Sequence, residues 1–253
     1  HRAHYSIGWL FLIELPLVVW YNYLKVIHLD KRLDAARKIL AKLIDSDHAA
    51  YLVGGFVRDM MLGLETDDID ITTDARPDIV ESLFPDVRET GIRFGTVTVF
   101  MDGYPFEVTT FRNEGKYTNF RHPDEISFSD TLEEDLKRRD FTINAFAMAY
   151  DGSVIDLFSG KEDLENHLIR AIGYPEARFY EDALRILRAF RFVSKLDFDI
   201  EKGTFRAINQ NRLLLRKIAS ERILQEMRKI IAYPHHAKAF FLMREAGIGE
   251  ALP

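Results

Sequence analysis

Asp68 and Asp70 stand two residues apart in Asp68-Ile69-Asp70-Ile71-Thr72, a segment that alternates acidic and apolar residues as a half-buried strand does. On a strand, residues i and i+2 leave from one face, so the two carboxylates would lie several ångströms apart and repel unless a cation sits between them. Hard oxygen ligands on a rigid strand suit Mg²⁺, which takes one or two carboxylates and fills its shell with water and phosphate oxygens. Glu107 lies in a second alternating segment and could add a third carboxylate if that strand pairs alongside. Fourteen residues before Asp68, Gly54-Gly55 separates a strand from a helix, a turn whose backbone amides can approach a phosphate, with Arg58 following in the helix. Alone, an Asp-x-Asp is more often a surface strand end, and many strand-to-helix turns contain glycine. Together they form the layout that nucleotidyl transfer needs: a phosphate cradle beside a two-carboxylate metal site.

The surrounding elements read as follows. Leu33, Ala36, Ile39, Leu40, Leu43 and Ile44 recur at helical spacing. Tyr51-Leu52-Val53 is a short strand, and Phe56 to Leu62 is a helix closed by Gly63. Thr96–Phe100 and Phe106–Thr110 form a hairpin around Asp102-Gly103. Residues 112–134 are polar and unpatterned, a long loop. After Asp156-Leu157-Phe158-Ser159-Gly160 strand signals almost cease, and from Glu181 the pattern is helix after helix. The expectation is an α+β fold, a mixed β-sheet flanked by helices and then an all-α part, with the boundary near residue 173.

The chain has 253 residues and a net charge of −6, and its ordinary hydrophobicity excludes a disordered chain. Without cysteine, disulfides, thiolate metal sites and cysteine nucleophiles are excluded, and a reducing, cytoplasmic setting fits. The charge is unevenly spread: residues 181–244 hold 14 Lys and Arg against 7 Asp and Glu, net +7, leaving −13 elsewhere. Such asymmetry suggests a polyanionic partner, although a solvated helical surface gives the same count. Residues 7–21 are strongly apolar but are interrupted by Glu14 and Pro16, and fall short of a spanning helix. Residues 1–28 are read as an extension of unassigned role, with membrane or targeting use the lesser reading.

At this point the residues resemble a family. Leu52-Val53-Gly54-Gly55-Phe56-Val57-Arg58-Asp59 through Asp68-Ile69-Asp70 is similar to the first motif of class II tRNA nucleotidyltransferases and bacterial poly(A) polymerases. Arg138-Arg139-Asp140-Phe141-Thr142-Ile143-Asn144-Ala145 resembles the second motif. Asp151-Gly152 with Asp156–Gly160 resembles the third, Glu181-Asp182-Ala183-Leu184-Arg185 the fourth, and Ser220-Glu221-Arg222-Ile223 the fifth. The order is kept from about residue 31 to 232. Gly91-Ile92-Arg93-Phe94-Gly95-Thr96-Val97-Thr98 looks like the CCA-adding branch. The full-length loop between Glu107 and Arg139 suits CCA-adding and A-adding members alike, whereas CC-adding members resemble a version with part of it deleted.

The resemblance implies a nucleotidyltransferase head at 29–173, a helical neck at 174–232 and the start of a truncated helical body at 233–253. It implies two Mg²⁺ on Asp68 and Asp70, with Glu107 as third acid, and CTP and ATP as substrates added to a tRNA 3′ end. Gly54, Gly55 and Arg58 would contact the triphosphate, and Arg139 and Asp140 the ribose and phosphates; by sequence alone Arg139-Asp140 reads as a surface ion pair. Asp182 and Arg185, at i and i+3 on one helix face, would select the base, with Arg188 assisting. An aspartate accepts from the amino group of cytosine or adenine and an arginine donates to their ring acceptors, whereas uracil and guanine place a carbonyl where the amino group would be. The same spacing also suits a plain ion pair on a solvated helix. Ala183 replaces the proline usual after Glu-Asp. The basic segment would meet the tRNA acceptor arm; neither a stable protein partner nor a membrane is implied. An A-adding enzyme completing CC ends and an inactive RNA-binding fragment are the alternatives.

Overall fold

The computed structural model describes residues 17–66, 68–114 and 126–252. Apolar residues at helical spacing close the first element, α1 (Leu17–Ile44), against the rest of the chain. Ala35, Ala36, Ile39, Leu40 and Leu43 are fully buried, while Ile44 at its end is largely exposed. This helix runs without a break through residues 28 and 29, where the sequence suggested an extension ending and a head beginning. Among the described residues no helix is long and apolar enough to cross a membrane. Residues 1–16, most of the apolar run, lie outside the described residues.

Then come β1 (Ala50–Val53), α2 (Gly55–Met61), β2 (Asp70–Thr73), α3 (Pro77–Leu83), β3 (Val87–Gly91), β4 (Thr96–Met101) and β5 (Tyr104–Thr110). β4 and β5 form the expected hairpin, with Met101 opposite Tyr104. Asp102 and Gly103 both take positive φ, 52° and 83°, the conformation of a two-residue turn that follows the strand twist. The described ends of the polar stretch 112–134 form regular elements where the composition suggested a loop. β6 (Arg112–Glu114) pairs antiparallel with β7 (Ile126–Phe128), and α4 (Leu132–Lys137) follows, capped by the Thr131 hydroxyl. Residues 115–125 lie outside the described residues.

Beyond α4 come β8 (Phe146–Met148) and β9 (Val154–Asp156). They complete a seven-stranded sheet ordered β3-β4-β5-β2-β1-β8-β9. The β2–β5 pair is parallel and the others are antiparallel, so the sheet is mixed. The Asp156 carboxylate accepts from the amides of Phe158, Gly160 and Lys161, which makes the third motif a structural turn. The turn leads into α5 (Gly160–Glu165) and β10 (Leu168–Ile169).

The helical part holds α6 (Pro175–Glu181), α7 (Leu184–Leu196), β11 (Asp199–Ile200), α8 (Lys202–Asn211), α9 (Ser220–Ala232) and α10 (His236–Glu245). The expected boundary at 173 is bridged: β10 pairs in parallel with β11 across it. The Phe141 ring meets Phe192 of α7 edge-on at 5.7 Å, worth about 0.5–1.5 kcal/mol beyond burial. α7 is the central helix, with Ile186, Leu187, Ala189, Phe190 and Val193 fully buried.

Candidate active site

The glycine turn follows directly from β1. Gly54 adopts φ 73° and ψ −134°, and a Cβ there would lie 2.8 Å from the Arg139 guanidinium. Glycine is therefore required twice, by the backbone and by the arginine packed upon it. Arg58, expected to contact the triphosphate, is buried against the turn and lines the same cleft as Gly54 and Gly55. Its Nε and Nη2 donate to Asp59 Oδ1 at 2.8 and 2.7 Å, Nη1 donates to Asn144, and its guanidinium stacks over Phe192. Arg58 supports the turn from below.

Asp70 opens β2, paired with Val53 on one side and with Glu107 of β5 on the other. The parallel pairing that the third carboxylate required is thus present. Asp68 lies just outside the strand, which starts two residues later than the alternation predicted, and it is exposed. Burial, with the nearby charges of Asp68 and then Glu107, pushes the Asp70 carboxyl up to about 6, partly offset by Arg139 and Arg32. The three acids therefore share one electrostatic neighbourhood with surplus negative charge. Arg139 stands between this cluster and the glycine turn. Its Nη2 reaches Asp135 at 3.3 Å, while its buried Nε finds no hydrogen-bond partner.

Arg139 and Asp140 do not pair with each other. Asp140 is buried and accepts from the Phe141 amide and Asn144 through one oxygen, and from Arg188 at 2.7 Å through the other. Burial pushes its carboxyl up, but the Arg188 charge and the Asn144 bond outweigh it and hold the group well below the usual range. Arg188 is correspondingly held charged: its pKa is raised, desolvation being outweighed by Asp140.

Asp182 and Arg185 do not share one helix face as expected. Asp182 is extended between α6 and α7, and its carboxylate accepts from the Leu184 amide at 3.0 Å. Arg185, in the first turn of α7, donates to Glu181 at 3.0 Å and to the Arg138 carbonyl at 2.9 Å. Arg222 of α9 stands 3.6 Å from the other oxygen of Asp182. The break lies two residues before α7, where the Asp182 carboxylate closes a local turn on the Leu184 amide ahead of Ala183, the first residue beside the helix.

One cleft of about 890 Å³ collects all these residues. It is lined by Gly54, Gly55, Arg58, Asp68, Asp70, Glu107, Arg139, Asp140, Asp182, Arg185 and Arg188. Asp70 of β2, Glu107 of β5 and Arg185, Arg188, Arg191 and Lys195 of α7 thus line one cavity. The volume is of the size that encloses a small-molecule ligand.

Residues 50–170 match the Poly A polymerase head domain, and residues 197–253 match the probable RNA and SrmB-binding site of polymerase A. The CCA-adding enzyme of Lactobacillus helveticus is 50% identical over 218 residues, covering 86% of this chain and 55% of that protein. The chain belongs to the tRNA nucleotidyltransferase and poly(A) polymerase family. The crystal structure of the Bacillus stearothermophilus CCA-adding enzyme in complex with CTP superposes with a TM-score of 0.82 at 43% identity, over 88% of this chain and 54% of that one. The Thermotoga maritima CCA-adding enzyme complexed with tRNA gives 0.73 at 29% identity, over 87% and 52%. The chain thus spans about half the length of these relatives.

The family implies a divalent metal, and the donor set accommodates one. Asp70 carries a raised pKa because of burial and then the repulsion of Asp68 and Glu107, and a cation beside it would offset that penalty. Among the described residues no three acidic or histidine side chains are arranged to hold an ion by themselves. An ion on Asp68 and Asp70 would complete its shell with water and phosphate oxygens, as Mg²⁺ does. Sequence reasoning left Asp59, Asn144, Arg191 and Lys195 without a role, although all line the cleft. The signal was available for α7: Arg188, Arg191 and Lys195 recur at three- and four-residue intervals, a polar stripe on an otherwise apolar helix.

Proposed function

We propose that this chain is a template-independent tRNA nucleotidyltransferase, adding C and A from CTP and ATP to a tRNA 3′ end with release of pyrophosphate. The observation that carries the reading is the single cleft lined by both the Asp68–Asp70–Glu107 cluster and the Asp182–Arg185 pair. One group of residues suits phosphoryl chemistry and the other suits reading a base edge.

Asp68 and Asp70 would hold two Mg²⁺, with Glu107 beside them; when bound, the ions supply Lewis acidity at the attacking hydroxyl and at the triphosphate. The protein's own part is positioning and charge. Backbone amides of the Gly54-Gly55 turn face the triphosphate, and α2, with seven residues, adds little dipole of its own. Arg139, which lines the cleft with its Nη1 against the glycine turn, faces the same phosphates. Asp140 is fully engaged, so it acts on the ribose side mainly by fixing Arg188. Asp182 accepts from an amino group that C and A have and U and G lack at that place, and Arg185 donates to the adjoining ring acceptor. Because protein side chains make this choice, no nucleic-acid template is needed. The basic excess of residues 181–244 suits the acceptor arm of tRNA, bound through phosphates and therefore weakened by salt. Such work belongs in the cytoplasm.

Transcripts of tRNA lacking CCA, or ending in CC, incubated with CTP and ATP singly and together, test the reading. C incorporation on the first transcript followed by A supports CCA addition. Incorporation of A on CC ends alone would reduce the function to A addition, and no incorporation on either would refute it.

A further inference from the structure

A run of hydrogen bonds leaves α7 at its last turn, crosses the head, and returns to α7 two turns earlier. Lys195 Nζ donates to Asp59 Oδ2 at 2.7 Å. Asp59 Oδ1 accepts from Arg58, whose Nη1 donates to Asn144; the Asn144 amide donates to Asp140 at 2.9 Å, and Asp140 accepts from Arg188. Arg58, Asp59, Asp140 and Asn144 are all at least 94% buried, and Lys195 is a quarter exposed. The first turn of α7 is fixed separately, by Arg185 on the Arg138 carbonyl. Buried polar groups satisfied in this way have few alternative arrangements, so the run behaves as a rigid strut.

The run ties α7 to the glycine turn, two different parts of the cleft. Arg58 lies under the glycine turn, where a Cβ on Gly55 would stand 3.5 Å from Nη2. α7 carries Arg185 and begins immediately after Asp182 and Ala183. We propose that the Lys195–Asp59 contact is a latch that fixes the distance and tilt between the glycine turn and the Asp182–Arg185 pair, which makes Lys195 a specificity-setting positioning residue. The inference rests on the proposed function, since it assigns phosphate binding to the turn and base choice to the pair. Cytosine and uracil differ at one exocyclic group and one ring nitrogen, so a selecting pair free to shift along a loosened α7 can accommodate either. Lys195 also lines the cleft, and a direct contact with the triphosphate is the competing role.

Asp59 has two cationic partners, so removing Lys195 leaves it paired with Arg58 and the fold intact. Lys195→Met keeps the aliphatic stem, Lys195→Arg can still bridge to Asp59, and Asp59→Asn removes the charge from the other side. The measurement is the ratio of CTP to UTP dissociation constants by isothermal titration calorimetry with Mg²⁺ on the whole chain, with thermal melts alongside. The wild type is expected to prefer CTP by at least about tenfold, and Lys195→Met by about threefold or less. Lys195→Arg should keep most of the preference. The Asp59→Asn/Lys195→Met double variant should be no less selective than Asp59→Asn alone, because both remove one contact. A Lys195→Met protein that binds both nucleotides more weakly by one common factor, with the ratio unchanged, would overturn the latch in favour of a phosphate contact. Losses that multiply in the double variant would also overturn it. A wild type indifferent between CTP and UTP would instead remove the base-selecting role of Asp182 and Arg185, and the latch with it.

Discussion

Replacing Asp70 with Asn should make the protein more stable and far less active. Asp70 titrates near 6 against an ordinary value of 3.8, because burial, Asp68 and Glu107 disfavour its charge. Between about pH 4 and 6 the folded chain therefore holds more protons than the unfolded one, and stability falls as pH rises through that window. Two pH units correspond to about 3 kcal/mol, which partial exposure of the side chain reduces to about 1–2. In EDTA at pH 8, Asp70→Asn should thus gain about 1–2 kcal/mol, or about 3–6 °C in Tm for a chain of this size. Near pH 4 the variant and the wild type should melt together. Adding Mg²⁺ at pH 8 should raise the wild-type Tm and leave the variant almost unmoved. Nucleotide transfer by the variant should fall at least about a hundredfold, because a group that holds developing charge has gone. Chemical denaturation and melting curves across pH 4–8 measure the stability side. A variant less stable than wild type at pH 8 in EDTA, or one keeping the same pH slope, would refute the assignment of Asp70 as a strained acid awaiting a cation.

Three further outcomes are expected. Gly54→Ala should cost at least about 1–2 kcal/mol from the positive φ and, by displacing Arg139, should weaken CTP and UTP binding alike in calorimetry. Asp140→Asn should cost about 2–3 kcal/mol in urea denaturation, below the full loss for a buried pair because Arg188 is a third exposed. As the Asp140 carboxyl is held below its ordinary range, its contribution is full above about pH 4 and is lost only on strong acidification, so the wild-type and variant curves should converge there. Arg222→Met should leave the melting temperature within about 2 °C while lowering CTP-over-UTP discrimination in single-turnover assays, because Asp182 loses the partner on its second oxygen.

What could be read from the sequence was local. The Asp102-Gly103 turn dictates its own hairpin, and Tyr51–Gly63 carries strand, glycine turn and helix in one short stretch. The site residues were legible because they lie in short motifs of unusual chemistry. Distant pairing was not legible. β2 joins β5 in parallel only after the chain has passed through α3, β3 and β4, and no local period encodes that register. β6 and β7 are three residues each in a polar stretch, so alternation cannot reveal them. The break at Asp182 was missed because Glu181-Asp182-Ala183-Leu184-Arg185 fits a helical period, while Asp182 is extended and its carboxylate closes a local turn on the Leu184 amide. Arg58 was legible as a cation near a glycine turn; its bond to Asn144 and its stacking on Phe192, far along the chain, were not.

Nucleotide transfer in this cleft can be followed as label from α-³²P-CTP onto a tRNA transcript lacking CCA, with Mg²⁺ and unlabelled ATP. The wild-type chain should extend the transcript by two labelled C residues and a terminal A, and the Asp68→Ala/Asp70→Ala variant, folded by circular dichroism, should add nothing. Labelled RNA produced equally well by that variant, or no label from the wild type at high protein concentration, would contradict the account.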